Sequence, residues 1–251
     1  MTRRRLVGAA LAVGVALWAA VRIRGLSLDT QATNPIIRWE WVFLREDTRG
    51  ELWDATYQHL KLTFIAVLCG TVISAALSLL ALRRRWTFGP ITAVTGFLYT
   101  IPSVALFGAL RGPYGSFLAA EVALTSYTLL VLVRNMVAGV DSVPAAVTDA
   151  ADGLGMSRTR RLLTVELPLA LPVIIAGLRV ATVTTVGLVG ITAIIQLGGL
   201  GRLIFDGFGT QFYTKMMVGS ILSVALAVAL DLLFHRIEVL LTPWARRRSR
   251  P

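Results

Sequence analysis

Cysteine is nearly absent. Cys69 is the one cysteine in 251 residues and lies inside an apolar stretch, so the chain alone can build neither a disulfide framework nor a thiolate metal cage. It reads as a small core residue. Histidine is almost as scarce. His59 and His235 sit at the edges of different apolar stretches on opposite sides of the membrane, which leaves no cluster for a metal ion and no partner set for a His-based triad. No glycine-rich loop with a lysine to cradle phosphate occurs, so nothing suggests that this chain hydrolyses ATP or holds a cofactor. Charge is short too: 16% of residues are charged against about 25% in soluble domains, while 55% are hydrophobic. One water-soluble core cannot hide so much apolar surface, so the composition implies an integral membrane protein. The apolar runs lack the period-two alternation of barrel strands, and unpaired backbone is costly in lipid, so the spans are expected to be helices.

Windows of about 20 apolar residues, enough to cross a 30 Å hydrocarbon layer, run over Leu62 to Leu82, Phe88 to Leu110, Ser116 to Val137, Leu169 to Ile195 and Met216 to His235. A sixth, Leu6 to Val21, is shorter and follows Arg3-Arg4-Arg5. It resembles a secretory or twin-arginine signal, but no small-residue cleavage site precedes Arg22, and a retained first helix is the reading adopted. The expected architecture is all-α with about six transmembrane helices, an N-terminal one plus a core of five. Residues 1–55 hold that helix and an external interfacial segment, 56–243 the membrane domain, and 244–251 a basic tail. If every window spans, fourteen Lys and Arg fall on the side of both termini and nine on the other, where six acids accompany six of them between Arg22 and Lys61. The positive-inside rule then places both termini in the cytoplasm, with a bacterial-type plasma membrane as the setting. The net charge of +11 fits this topology and attraction to anionic lipid better than nucleic-acid binding, since no basic stripe is interleaved with exposed aromatics. Trp39, Trp41 and Trp53 suit a segment lying at the headgroup layer; an aromatic cage for a quaternary ammonium group is the sharper alternative.

A polar segment interrupts the apolar pattern between Asp141 and Pro168. It is long for a connection between spans and rich in helix formers. Ser142 or Asp141 could cap a helix with Pro144 in its first turn, continued by Ala145, Ala146, Val147, Ala150 and Ala151. Gly153 and Gly155 permit a turn, and Ser157 could cap a second short helix to Val165 before Leu167-Pro168 open the next span. The residues themselves leave two readings open, a solvated loop or a helical knuckle whose small side chains admit a partner's groove.

The spacing Asp149-Ala150-Ala151, three residues, Gly155, nine residues, Val165, one residue, Leu167-Pro168 resembles the EAA loop of binding-protein-dependent ABC importer permeases of the type I fold. Asp149 replaces the usual Glu and Val165 the usual Ile. Thr100-Ile101-Pro102-Ser103, Leu132 to Asn135, Glu166 to Pro172, Gly198 to Gly201, Ile204 to Gly207 and Leu240 to Pro243 are similar to the branch that carries glycine betaine, choline and carnitine. Tyr99 and Glu121 depart from that branch's habits. The resemblance implies a non-catalytic permease subunit, paired with a second one, identical or related. Separate cytoplasmic ATPase subunits would grip the 145–165 loop, and an extracytoplasmic solute-binding protein would deliver the cargo. It makes Asp149, Ala150, Ala151, Gly155, Val165, Leu167 and Pro168 the coupling residues. An amino acid or another small organic cation is the alternative cargo. An ATPase-independent channel or secondary transporter is the alternative class, disfavoured by the long loop and the lack of an inverted repeat.

Pathway and gate candidates follow from backbone chemistry. Pro102, flanked by Thr100 and Ser103, removes a helical hydrogen bond, which suits either a pathway bend or a packing kink. Gly198, Gly199 and Gly201 allow a re-entrant turn beside Phe205 and Phe208, which could close an outer mouth. Glu121, Arg134, Arg179 and Asp231 are charges inside spans. Structural pairing is the expected role, with Asp231 near His235 on one helix face and Glu121 a possible attractor of a cationic head group.

Overall fold

The computed structural model describes Arg38, residues 41–42 and residues 46–244. The expected helix Leu6 to Val21, Trp39 and the tail from 245 onward lie outside the described residues. From residue 46 to 244, eight α-helices follow in order: α1 Glu46–Arg83, α2 Phe88–Thr100, α3 Ser103–Asp141, α4 Ala145–Gly153, α5 Arg158–Arg161, α6 Leu167–Ile191, α7 Leu200–Gly209 and α8 Tyr213–Leu241. A single π-helical turn over Leu162–Glu166 joins α5 to α6 without a break. Among the described residues no strand occurs, and four stretches are long and apolar enough to cross a membrane: Asp47–Arg83, Ser103–Asp141, Arg158–Ile195 and Tyr213–Leu241.

Two expectations about the spans need correction. The window Phe88 to Leu110 is not one helix. Ile101 adopts extended backbone (φ −65°, ψ 128°), because a residue before proline is pushed out of the α region, and Pro102 cannot donate the next helical hydrogen bond. Helix α2 therefore ends after 13 residues, about 20 Å, too short to span alone. Its continuation belongs to α3, which is itself bent where Gly115 takes φ 75° two residues after Pro113. The second correction concerns the segment before the first window. Residues from Glu46 onward are already helical, so 46–61, the last part of the stretch between Arg22 and Lys61, is a continuous extension of α1.

Lipid tails are as apolar as leucine, so helices in a membrane associate through close packing more than through apolar burial. The contacts here have that character. Along α1 the buried positions Ala55, His59, Leu62, Thr63, Ala66, Val67, Ser74, Ser78 and Ala81 recur at helical spacing and form one stripe. Gly70 on this stripe meets Thr128 of α3 so closely that a Cβ has no room, and Gly177 of α6 meets Asn135 of α3 in the same way. Helix α3 packs on α1, α2 and α6 and forms the centre of the bundle, where Leu62, Phe107, Leu124 and Val189 join one cluster. Over half of its apolar window, 56%, is buried, against 6% for α8, which leans on α6 and α7 by one side only. Cys69, expected in the core, instead faces outward from α1.

Candidate functional site

Polar residues gather at the two ends of the bundle, at the Asp141–Pro168 loop and at the Gly198–Gly201 turn. At the loop end, α4 forms over Ala145–Gly153 with Pro144 as its N-cap residue, and neither Asp141 nor Ser142 caps it. Asp141 is taken by Arg85, which grips it with both guanidinium nitrogens at 2.6 and 2.9 Å. The two carboxylate hydrogen bonds also raise the guanidinium's affinity for its proton. The Ser142 hydroxyl turns back onto the Gly139 carbonyl. Gly155 adopts φ 72°, a left-handed conformation that only glycine takes without strain, and so reverses the chain after α4. Ser157 then caps α5 by accepting the Arg160 amide at 3.4 Å. The second helix does not stop at Val165: it runs through the π-turn into α6, so any displacement of α5 acts on a continuous rod reaching Ile191.

The loop is anchored at three points. Arg161 bridges Asp152 of α4 and Glu166 of the π-turn, the latter at 2.6 Å. Arg158 donates to the Leu82 carbonyl near the end of α1 at 2.8 Å, and Arg85–Asp141 ties the turn after α1 to the end of α3. Of the expected coupling residues, Asp149, Ala150, Gly155 and Leu167 are exposed, Ala151 is buried, and Val165 in the π-turn and Pro168 at the start of α6 are half-buried. Leu154, which sequence reasoning passed over, is 77% exposed at the tip between α4 and α5. An exposed leucine in a polar tip is the signal that could have marked it.

At the other end the glycine turn docks onto α1. The Gly199 amide donates to Gln58 Oε1 at 3.2 Å, and the Leu200 amide donates to His59 Nδ1 at 3.3 Å. A backbone N–H is only a donor, so Nδ1 is the bare nitrogen and Nε2 carries the proton that it donates to the Val186 carbonyl at 3.0 Å. His59 is fully buried and joins α1, α6 and α7 in one clasp. Gly199 has φ 85° as the N-cap residue of α7, and a Cβ on Gly201 would lie inside the Gly190 peptide. Helix α7 then buries Leu200, Gly201, Leu203 and Gly207 against its neighbours and leaves Phe205 and Phe208 outward. Sequence reasoning had set His59 aside as a lone edge residue; the Gly-rich run was the visible half of this clasp.

The remaining candidates separate. The Ile101 carbonyl, left outside both helices by the extended backbone before Pro102, accepts the Tyr127 hydroxyl of α3, and Tyr99 packs edge-on against Tyr127. Thr100 folds its hydroxyl onto the Phe97 carbonyl, and Ser103 starts α3. Glu121 is buried in α3 with neither carboxylate oxygen hydrogen-bonded, one helical turn after Phe117, on whose ring Lys61 rests. Arg134 is exposed. Asp231 spends its hydrogen bonds elsewhere than on His235, which acts on it only through its charge. It reaches across to Arg179 of α6 at 2.8 and 2.9 Å, while Glu238 lies 3.4 Å from Arg179 and 3.7 Å from His235. Trp41 stacks edge-on against Phe212 and Trp53 is exposed, so these two do not form a cage with each other.

Long apolar helices around a central α3, a folded polar loop at one end and a re-entrant glycine turn at the other define a polytopic membrane transport subunit. The chain belongs to the family of binding-protein-dependent transport system inner membrane components, whose pattern covers residues 55–247. It is 39% identical over 203 residues to the osmoprotectant import permease protein OsmW of Salmonella typhimurium, a match covering 78% of this chain and 94% of that protein. The choline transport system permease protein OpuBB of Bacillus subtilis is 32% identical over 79% of this chain and 92% of its own length. The glycine betaine/carnitine/choline permease protein OpuCD of the same organism is 33% identical over 77% and 85%. In structure the chain is similar to an inward-facing methionine ABC transporter, MetNI, with a TM-score of 0.69 and 21% identity over 79% of this chain and 99% of that one. It is also similar to an amino acid ABC transporter solved with histidines, with a TM-score of 0.63 and 19% identity over 78% and 95%. At those identities the likeness shows the fold.

Proposed function

We propose that this chain is a non-catalytic permease subunit of an ATP-driven importer for osmoprotectants such as glycine betaine or choline. The observation that carries the cargo class is the identity of 32–39% to three osmoprotectant permeases over more than three quarters of the chain. In this reading residues 56–243 are the permease domain, preceded by one further transmembrane helix within 1–55 and followed by a basic tail at 244–251. Both termini and the 141–168 loop lie in the cytoplasm of a plasma membrane. Two permease subunits form the pathway, separate ATPase subunits seat α4 and its Gly155 turn in a cleft, and an external binding protein delivers solute. Closure of the ATPases biases the bundle between two packings, and the uninterrupted path from α5 through the π-turn into α6 carries that displacement. Asp149, Ala150, Ala151, Gly155, Val165, Leu167 and Pro168 form the joint. Gly198, Gly199, Gly201 and Phe205 belong to the external gate, and Thr100, Pro102, Ser103 and Glu121 to the pathway side. The test is uptake of labelled glycine betaine and choline by osmotically stressed cells that lack their own importers and carry this one with its ATPase and binding protein. Saturable uptake of at least one supports the reading. Uptake of neither, with the assembled complex present in the membrane, overturns it.

A further inference from the structure

Helices α6 and α8 enclose an open groove of about 570 Å³ that holds the Arg179–Asp231 pair. Its walls are apolar, with Val180, Val183, Val228 and Leu232 each between 38 and 56% exposed in the single chain. Arg179 lies twelve residues into α6 and Asp231 ten residues from the end of α8, so both sit about 15–18 Å inside the bundle from its loop end. Their side chains remain 29% and 36% exposed. Ionised groups at such depth are costly against lipid and are found facing protein or a water-filled path. Arg179 and Asp231 are the charged residues of its lining. Arg179 also lies 3.4 Å from Glu238 beside the groove, which His235 approaches at 3.7 Å, and the exposed Arg236 stands between those two on α8. If Arg179 shifts its grip to Glu238, the Asp231 carboxylate is released into an apolar-walled space.

We infer that this groove is a solute transit site, in which Asp231 meets the quaternary ammonium head of the cargo, the valine and leucine walls cover its methyl groups, and Arg179 receives a carboxylate where the solute has one. The inference rests on the osmoprotectant reading for its ligand class. A trimethylammonium head cannot donate hydrogen bonds and is matched by a carboxylate within a methyl-covering cavity; the volume lies within the range of small-molecule sites. The pair also acts as a placeholder: while the site is empty the two charges satisfy each other, and the solute substitutes for both partners.

The test uses the assembled importer in membranes, with Cys69→Ala to remove the exposed native thiol and Val183→Cys in the groove wall. The probe is trimethylammonioethyl methanethiosulfonate, which is membrane-impermeant and reacts with thiols that reach water. Val183→Cys is expected to be modified, and saturating glycine betaine or choline to slow the reaction at least about threefold. Adding Asp231→Asn is expected to remove protection by both solutes, and adding Arg179→Gln to remove protection by glycine betaine while sparing choline. A Trp86→Cys control, 73% exposed and outside the coupling loop, should react whatever solute is present. Two results overturn the site: an unmodified Val183→Cys beside a modified Trp86→Cys, which marks a lipid-facing groove, or modification that neither solute slows. A pair that merely braces α6 on α8 would lose protection by both solutes equally in either variant, which also contradicts the inference. Uptake by the unsubstituted importer, measured alongside, separates failure of this site from failure of the osmoprotectant reading.

Discussion

The glycine turn and the polar loop, at the two ends of the bundle, are held in place by different chemistry, although Lys215 also pairs with Glu51 and Asp206 near the former. At the glycine turn the bonds are neutral, buried and short-ranged, and atoms meet with no space for an added methyl group: His59 is fully buried between two backbone partners, and Gly201 lies against Gly190. At the loop end the links are charged and mostly wetter, with Arg85 and Asp141 more than 40% exposed, although the Arg161–Glu166 contact is largely shielded. Buried, fully paired hydrogen bonds resist separation because each orphaned partner costs about 1–3 kcal/mol, whereas an exposed ion pair contributes about 0.2–1 kcal/mol and weakens in salt. The glycine turn is therefore a fixed joint, and the loop is an adjustable one. A part that must answer a partner's movement is expected at the weaker end.

This contrast can be broken in graded steps. Gly201→Leu should abolish uptake and deplete the protein from the membrane, because no rotamer avoids the Gly190 backbone; Gly89→Leu, with open space around it, should leave the membrane level within twofold by immunoblot. His59→Ala orphans the Leu200 amide and leaves a cavity, so it should destabilise the purified protein by about 2–3 kcal/mol in thermal unfolding, with His59→Gln recovering part of the loss. Gly155→Trp forces a left-handed backbone on a bulky residue at a cost of about 1–2 kcal/mol, yet uptake and co-purification of the ATPase should fall at least about tenfold. Arg85→Ala should be mildest, shifting stability by less than about 1 kcal/mol, and the difference from the parent should vanish as salt rises. An Arg85→Ala effect larger than that of His59→Ala would invert the comparison.

What could be read from the sequence follows the range of each interaction. The loop helix from Ala145, the Gly155 turn and the Ser157 cap depend on neighbours within a few residues and on local backbone preference, and all three occur in the structure. Asp141 shows the limit, since its capping potential is genuine but an arginine 56 residues away offers two charged hydrogen bonds instead. Asp231 repeats the lesson with Arg179, 52 residues distant, over His235 four residues on. His59 was invisible for the same reason, because its partners lie 127 and 141 residues downstream. Pro102 was correctly marked as a disturbance, but hydropathy averaged across it and concealed a complete break between α2 and α3. The exposed face of α8 fits a span that meets something beyond this chain, which no pattern within one sequence identifies.

In the function proposed above, this chain does no chemistry and moves solute only under the control of a separate ATPase gripping its loop. The most direct test is uptake of labelled osmoprotectant into proteoliposomes that hold this chain with its permease partner and the binding protein, with the ATPase present or left out and ATP supplied throughout. Accumulation is expected only when the ATPase is present, and is lost on Gly155→Trp. Solute accumulation of equal size without the ATPase would contradict that function and point to a self-sufficient transporter.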